Sequence, residues 1–286
     1  MTLGPNMLPV LAACGLFGAV AGGVGTFVLA RRRALLADVA GHASLPGVCV
    51  AFLLGEAIGV GGRAPWLLLA GATVSALLAA FCVPWLARLR GVGPDGALAV
   101  SLSFFFGLGA VLLSGVQSHA SGAQGGLNHL LFGSAAAITR SDLHAVAILA
   151  AIVLAVVVAL RKELAALAFD EHHARVLGLP VRALDATIML CLVATVVAGM
   201  QIAGIVLVVA MLITPAATAR LLPGSLLRVT TAASAIGAVA SIGGVVISRR
   251  FEDIPTGSAM TLAAAASFIL LLGGIRLVRG NGEVRS

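Results

Sequence analysis

The feature that most limits this chain is a series of apolar runs, each about as long as a lipid bilayer is thick. They cover residues 8–30, 35–54, 65–87, 97–116, 143–160, 184–200, 202–222, 226–247 and 259–277. A helix needs about 20 mostly apolar residues to cross the ~30 Å hydrocarbon core. The series therefore predicts an all-α, polytopic membrane protein of about nine spans. The two runs that meet at Gln201 have almost no loop between them, so one of the pair is tilted or broken. Residues 125–138 form a shorter apolar stretch, which reads as a half-helix in or on the membrane surface. Charged residues make up only 10% of the chain, against about 25% in a soluble domain. So few charges cannot build a water-exposed surface, and lipid must cover most of it. The spans consume the 286 residues, and residues 1–286 read as one transmembrane domain.

The charges that remain orient the chain. Lys and Arg total 18. If Arg31, Arg32 and Arg33 face the cytoplasm, alternation puts only Arg63, Arg140, Arg249 and Arg250 outside, leaving 18 − 4 = 14 inside. Cytoplasmic loops carry such an excess of Lys and Arg, so the N-terminus is expected outside and the C-terminus inside. The net charge of +7 thus reads as topology and gives no reason to invoke nucleic acid. The first apolar run has no basic segment before it and reads as a span, not a cleaved signal. Lys162 is the single lysine, and nothing around it resembles the Gly-x-x-x-x-Gly-Lys-Ser/Thr phosphate loop. The chain is therefore expected not to hydrolyse ATP itself. Cys14, Cys49, Cys82 and Cys191 lie inside apolar runs with no C-x-x-C pair, and read as buried thiols. Gly18/Gly22 and Gly55/Gly59 have the spacing that lets helices approach closely in lipid.

Asp38 and His42 stand out because ionisable groups inside a span are costly and usually face a pathway or each other. Four residues apart, they share one helix face. His42 lies nine residues past Arg33, roughly 13 Å deep at 1.5 Å per residue, near the middle of the hydrocarbon core. Imidazole with carboxylate suits Zn, Mn or Fe better than Mg or Ca. Pro46 lacks the N–H that would bond the His42 carbonyl, leaving that oxygen free for an ion or water. A structural Asp–His hydrogen bond between packed helices is the alternative. Glu56, at the far end of the same run, reads as an interfacial charge. His119 and His129 fall in the outer region 117–138, where they could receive a metal from outside. His144, His172 and His173 are weaker candidates. The chain has no H-E-x-x-H, no G-x-S-x-G and no Cys/His cluster, so an intramembrane hydrolase has no support.

On the inner side, residues 169–178 read as a short amphipathic helix. Asp170 can cap its start, and Gly178 with Pro180 can end it. Held between two spans, such a helix is a docking knob for a soluble partner, or else a solvated surface helix.

Five segments, in order from residue 31 to residue 257, resemble the ABC-3 family of permeases for zinc, manganese and iron importers. Arg32-Arg33 through Leu36, Asp38, His42, Leu45, Pro46 and Gly47 is similar to the family's Arg-Arg…Leu-x-x-Asp-x-x-x-His-x-x-Leu-Pro-Gly. Leu131-Phe132-Gly133-Ser134 follows the outer loop. Phe169-Asp170…Ala174-Arg175-Val176-Leu177-Gly178 is similar to Phe-Asp-Pro-Glu-x-Ala-x-x-Leu-Gly, with Glu171-His172 standing where the family commonly has Pro-Glu. Gln201 through Ala219 and Asp253-Ile254-Pro255-Thr256-Gly257 complete the series. The resemblance implies a permease in the bacterial inner membrane, working with a second copy as a homodimer or with a paired permease. It further implies a separate cytoplasmic ATPase and an extracytoplasmic metal-binding protein that meets region 117–134. Asp38 and His42 become the transport site for a divalent ion, with no permanently bound cofactor. Phe169, Asp170, Ala174, Leu177 and Gly178 become the ATPase-coupling residues. Two rivals follow from other classes. One is a permease for a siderophore or another organic chelate, which needs neither Asp38 nor His42. The other is an ATP-independent facilitator, which leaves 169–178 unexplained.

Overall fold

A computed structural model describes residues 7–59, 64–119, 140–251 and 254–283. The described residues are helical, with short turns between helices and no strand. In order they form α1 (Met7–Ala30), α2 (Ala34–Ile58), α3 (Pro65–Leu86), α4 (Gly93–His119), α5 (Arg140–Ala159) and α6 (Arg161–Phe169). Then come α7 (Glu171–Val176), α8 (Val181–Ala203), α9 (Ile205–Ala219), α10 (Leu226–Arg250) and α11 (Thr256–Glu283). Seven of these, α1–α4, α8, α10 and α11, are long and apolar enough to cross a membrane. Counting α5 and α6 as one bent span, with 67° between them, brings the number to eight.

The count of about nine exceeds this because of one residue. Gly204 takes φ of +88°, a backbone conformation that ends α8 and starts α9. The hydrogen bonds nearly bridge the break, from Gly204 N–H to Met200 O and from Val208 N–H to Gly204 O. With 15 residues, α9 is about 22 Å long, short of the membrane core. The broken segment expected around Gln201 is this one.

The chain divides into two units. One comprises Met1–Arg32, Ser134–Leu184 and Ala210–Ser286. In it α1 packs on α10 and α5, and α10 on α11. Glycine makes the α1–α10 contact possible. A Cβ at Gly18 would run into the Gly237 carbonyl, and one at Gly22 into the Ala233 carbonyl. The expected close-approach pair in the first span is therefore real. The second pair differs: Gly59 has φ of +76° and ends α2, and a Cβ there meets nothing within 4 Å among the described residues.

The other unit comprises Arg33–Gly133 and Asp185–Val209. In it α2 packs on α3 and α4, through the reciprocal pair Gly47 and Gly71, each of which would drive a Cβ into the other's carbonyl. Val48, Cys49, Phe52, Ala72, Ala76 and Met200 form its core. The spans differ sharply in enclosure. In α2 78% of the apolar window is buried, in α4 only 17%. Leu108, Val111 and Phe104 on α4 are exposed, as a lipid-facing helix requires.

Candidate functional site

The most enclosed span carries the polar pair. His42 Nε2 lies 3.5 Å from Asp38 Oδ1, one helical turn apart on α2. Neither side chain is sealed in, with 23% and 34% of their surfaces exposed. On α4, Phe106 sets the edge of its ring against His42, centroids 5.1 Å apart at 86°. One turn on, α4 comes close enough that a Cβ at Gly109 would sit 3.0 Å from Leu45 and Pro46. Helix α2 runs through Pro46 unbroken. Ser44, on the opposite side of α2, is fully buried, and its Oγ donates to the Gly41 carbonyl at 2.5 Å. The two faces of α2 thus divide into a packed side and a side bearing carboxylate and imidazole.

Among the described residues, no group of three or more His, Cys, Asp or Glu side chains could hold a metal ion. Among the described residues, the carboxylate and imidazole grouped at this position are those of Asp38 and His42. A closed structural site would need four.

The start of α2 is fixed by charge. Arg33 Nη2 bonds Asp185 Oδ2 at 3.0 Å, tying α2 to the first turns of α8. Arg31, two residues earlier, donates to Glu171 Oε2 at 2.8 Å and to the Leu167 carbonyl at 3.2 Å. The sequence alone does not reveal these contacts; there the three arginines orient the chain and two of them open the first family-like motif. A lone aspartate at the start of an apolar run, Asp185, was the available signal.

The segment expected to dock a partner, residues 169–178, is a two-part element. Phe169 is the last residue of α6, and Asp170 breaks the chain before α7. The Asp170 carboxylate accepts from the His172 N–H at 2.7 Å and the His173 N–H at 3.2 Å. Those amides, His173 first, hold its carboxyl below the usual carboxylate range. At the other end Gly178 N–H bonds Arg175 O and Leu179 N–H bonds Ala174 O, with Gly178 at φ +75°. That double bond is the Schellman closure that favours glycine. The Arg31 guanidinium, with smaller help from Arg175, pulls the Glu171 carboxyl down as well. So Glu171 is turned inward onto Arg31. Ala174 is fully buried and seats the helix, while Phe169, Val176 and Leu177 are 81%, 73% and 58% exposed. Three exposed apolar side chains on so short an element form an apolar patch.

The remaining candidates stay apart. Glu56 lies exposed in the last turn of α2. His119 ends α4, and His129, with the whole of the expected half-helix 125–138, lies outside the described residues. His144 is on α5, and His172 and His173 are exposed on α7. Cys14, Cys49 and Cys191 are buried, Cys82 is partly so, and all are free thiols.

Helices long and apolar enough to cross a membrane, with a polar pair on the most enclosed of them, define a polytopic membrane protein. The chain belongs to the ABC 3 transport family, whose model matches residues 4–273. The manganese transport system membrane protein MntC of Bacillus subtilis (strain 168) is 37% identical over 265 residues, 93% of this chain. The chain spans 60% of that relative's length. The zinc transport system membrane protein TroC of Treponema pallidum (strain Nichols) is 32% identical over 91% of this chain and 83% of its own. Among solved structures, PsaBC from Streptococcus pneumoniae in complex with Fab matches with a TM-score of 0.81 and 33% identity. That match covers 93% of this chain and 91% of the other.

Proposed function

We propose that this chain is the membrane-spanning permease of an ATP-driven importer for a divalent transition-metal ion. Its N-terminus faces outward and its C-terminus the cytoplasm, as the distribution of Lys and Arg favours. It works with a second permease copy, a cytoplasmic ATPase subunit and an extracytoplasmic protein that delivers the metal. The observation that carries the reading is the Asp38–His42 pair, 3.5 Å apart on the most enclosed span. Metal transport named for the relatives supports it: manganese for MntC and zinc for TroC. Two copies meeting across a two-fold axis would bring four ligands to one ion, enough to offset its dehydration. A site shared between two moving subunits can release what it binds, which a transport site must do.

Element α7 is the point at which the ATPase grips the permease. The exposed side chains of Phe169, Val176 and Leu177 would enter a groove of the partner. Asp170, Ala174 and Gly178 keep the helix formed and seated. No covalent chemistry is assigned to this chain.

The test is metal content of cells lacking and re-expressing the gene, scored together for Zn, Mn and Fe. Restoration of one or more of these by the wild-type gene, dependent on an intact ATPase subunit, supports the proposal. Unchanged metal content with altered uptake of an organic chelate would replace it with the chelate permease. Restoration without any ATPase would replace it with a facilitator.

A further inference from the structure

The groove next to the docking element has a second chemistry that ion transport does not use. It has a volume of about 560 Å³ and lies between α1, α5, α6 and α10. Its walls are apolar, from Phe27, Leu154, Val157, Val158, Leu227 and Phe169. Its two cations are neighbours in sequence, Arg161 and Lys162, at the start of α6. Glu163, next along, is not among the lining residues. Ser225, which precedes α10 and makes no side-chain capping bond, also lines the groove. From there the lining follows α10 through Thr230 and Thr231 to Ser234. Leu227 to Ser234 is seven residues, about 10 Å of depth at 1.5 Å per residue. On α5 the lining goes from Val158 back to Leu154, away from the cations. Charge is thus confined to one end of an apolar trench that enters the membrane from its surface.

We propose that this groove binds one anionic phospholipid, with its phosphate on Arg161 and Lys162 and an acyl chain lying along Val158, Leu154 and Leu227. The leaflet is the cytoplasmic one, a detail that rests on the orientation proposed above. Charge complementarity selects this occupant. A water-soluble anion has no use for the apolar walls, and a zwitterionic lipid gains less from two cations in a groove with no acidic residue among its lining. Basic pockets between transmembrane helices on the cytoplasmic side are where anionic headgroups settle. Because Phe169 is also a wall, the lipid would brace the residue that opens the docking element.

The experiment uses the full-length permease in nanodiscs of equal parts phosphatidylglycerol and phosphatidylcholine, released into native mass spectrometry. One phosphatidylglycerol should remain on each permease chain. Each cation near an anionic headgroup contributes about fivefold in affinity, so Arg161→Gln with Lys162→Gln should lower retention about thirtyfold. Arg88→Gln with Arg90→Gln removes the same charge from an exposed turn elsewhere and should leave retention unchanged. Val158→Trp fills the trench with both cations present and should also displace the lipid. Equal loss in the two charge variants, or full retention in the Arg161/Lys162 variant, would overturn the proposal. So would efficient crosslinking of a cysteine at Val158 to the second permease copy or the ATPase in the assembled transporter. None of these outcomes touches Asp38 or His42, so failure here leaves the transport proposal standing.

Discussion

Gly178→Val should uncouple the transporter for a reason that can be worked from the backbone alone. Gly178 has φ of +75°, and a Cβ built there meets nothing within 4 Å. Crowding is therefore not what a side chain would suffer in this chain. The cost is conformational: the left-handed region disfavours an L-residue by about 1–2 kcal/mol, or about 5–30-fold in the ratio of correctly ended to misfolded α7. Asparagine visits that region far more readily, and a β-branched residue least of all. Coupling should therefore fall in the order wild type and Gly178→Asn, then Gly178→Ala, then Gly178→Val, following backbone preference, not side-chain size. Gly91 has φ of +86° and equally open surroundings, so Gly91→Val imposes the same strain away from α7. It should leave coupling intact. The assay is the ratio of metal moved to ATP hydrolysed, in proteoliposomes holding permease and ATPase. A wild-type ratio for Gly178→Val would refute the reasoning. So would a Gly178→Asn variant as impaired as Gly178→Val.

Other consequences follow from the packing, the charges and the outer surface. Gly237→Leu should destabilise the α1–α10 contact by about 1–3 kcal/mol or more, because a Cβ there meets the Gly18 carbonyl. Gly243→Leu, which meets nothing within 4 Å, should not; thermal unfolding in detergent separates them. The Glu171 carboxyl is depressed by Arg31, so its contribution is present above the ordinary glutamate pKa, about 4.3, and is lost as pH falls through the lower, folded value. Protection of the α7 amides against exchange, taken relative to the intrinsic rate at each pH, should therefore be constant from neutral pH to about 5 and fall only in stronger acid. In Glu171→Gln that acid step should shrink. A cysteine at Ala123 should crosslink to the metal-delivery protein and one at Ala87 should not; equal yields would remove the outer region from the interface.

The bundle was legible because lipid imposes a length and a composition on every span, and the runs from residue 8 to residue 277 record both. What the runs did not locate was the position of the break. A broken segment near Gln201 was legible, but its place at Gly204 was not, since a positive φ leaves no mark on hydropathy. Gly59 was hidden in the same way: its spacing from Gly55 reads as a packing motif, yet its φ makes it a helix stop. Asp38 and His42 were legible because their polarity is out of place in a span. Phe106 was not, since nothing in a phenylalanine on an apolar helix marks which ring faces an imidazole. The roles of Arg31 and Arg33 were hidden for a related reason. Their partners Glu171 and Asp185 are about 140 and 152 positions away, a separation that no local pattern encodes.

The central claim is that Asp38 and His42 carry the ion, and metal uptake by Asp38→Asn and His42→Ala tests it most directly. The transporter would be reconstituted with its ATPase, and radioactive manganese or zinc uptake followed alongside membrane insertion and ATPase assembly. Each variant removes one of the two ligands that a chain supplies. The account predicts normal insertion and assembly in both, with uptake reduced at least about tenfold. Ser44→Ala, on the packed face of the same helix, should retain most transport. Wild-type uptake in either main variant would contradict the account, and so would a loss of uptake explained entirely by failure to insert. Asp38 and His42 would then be a structural pair, and the ion would cross elsewhere.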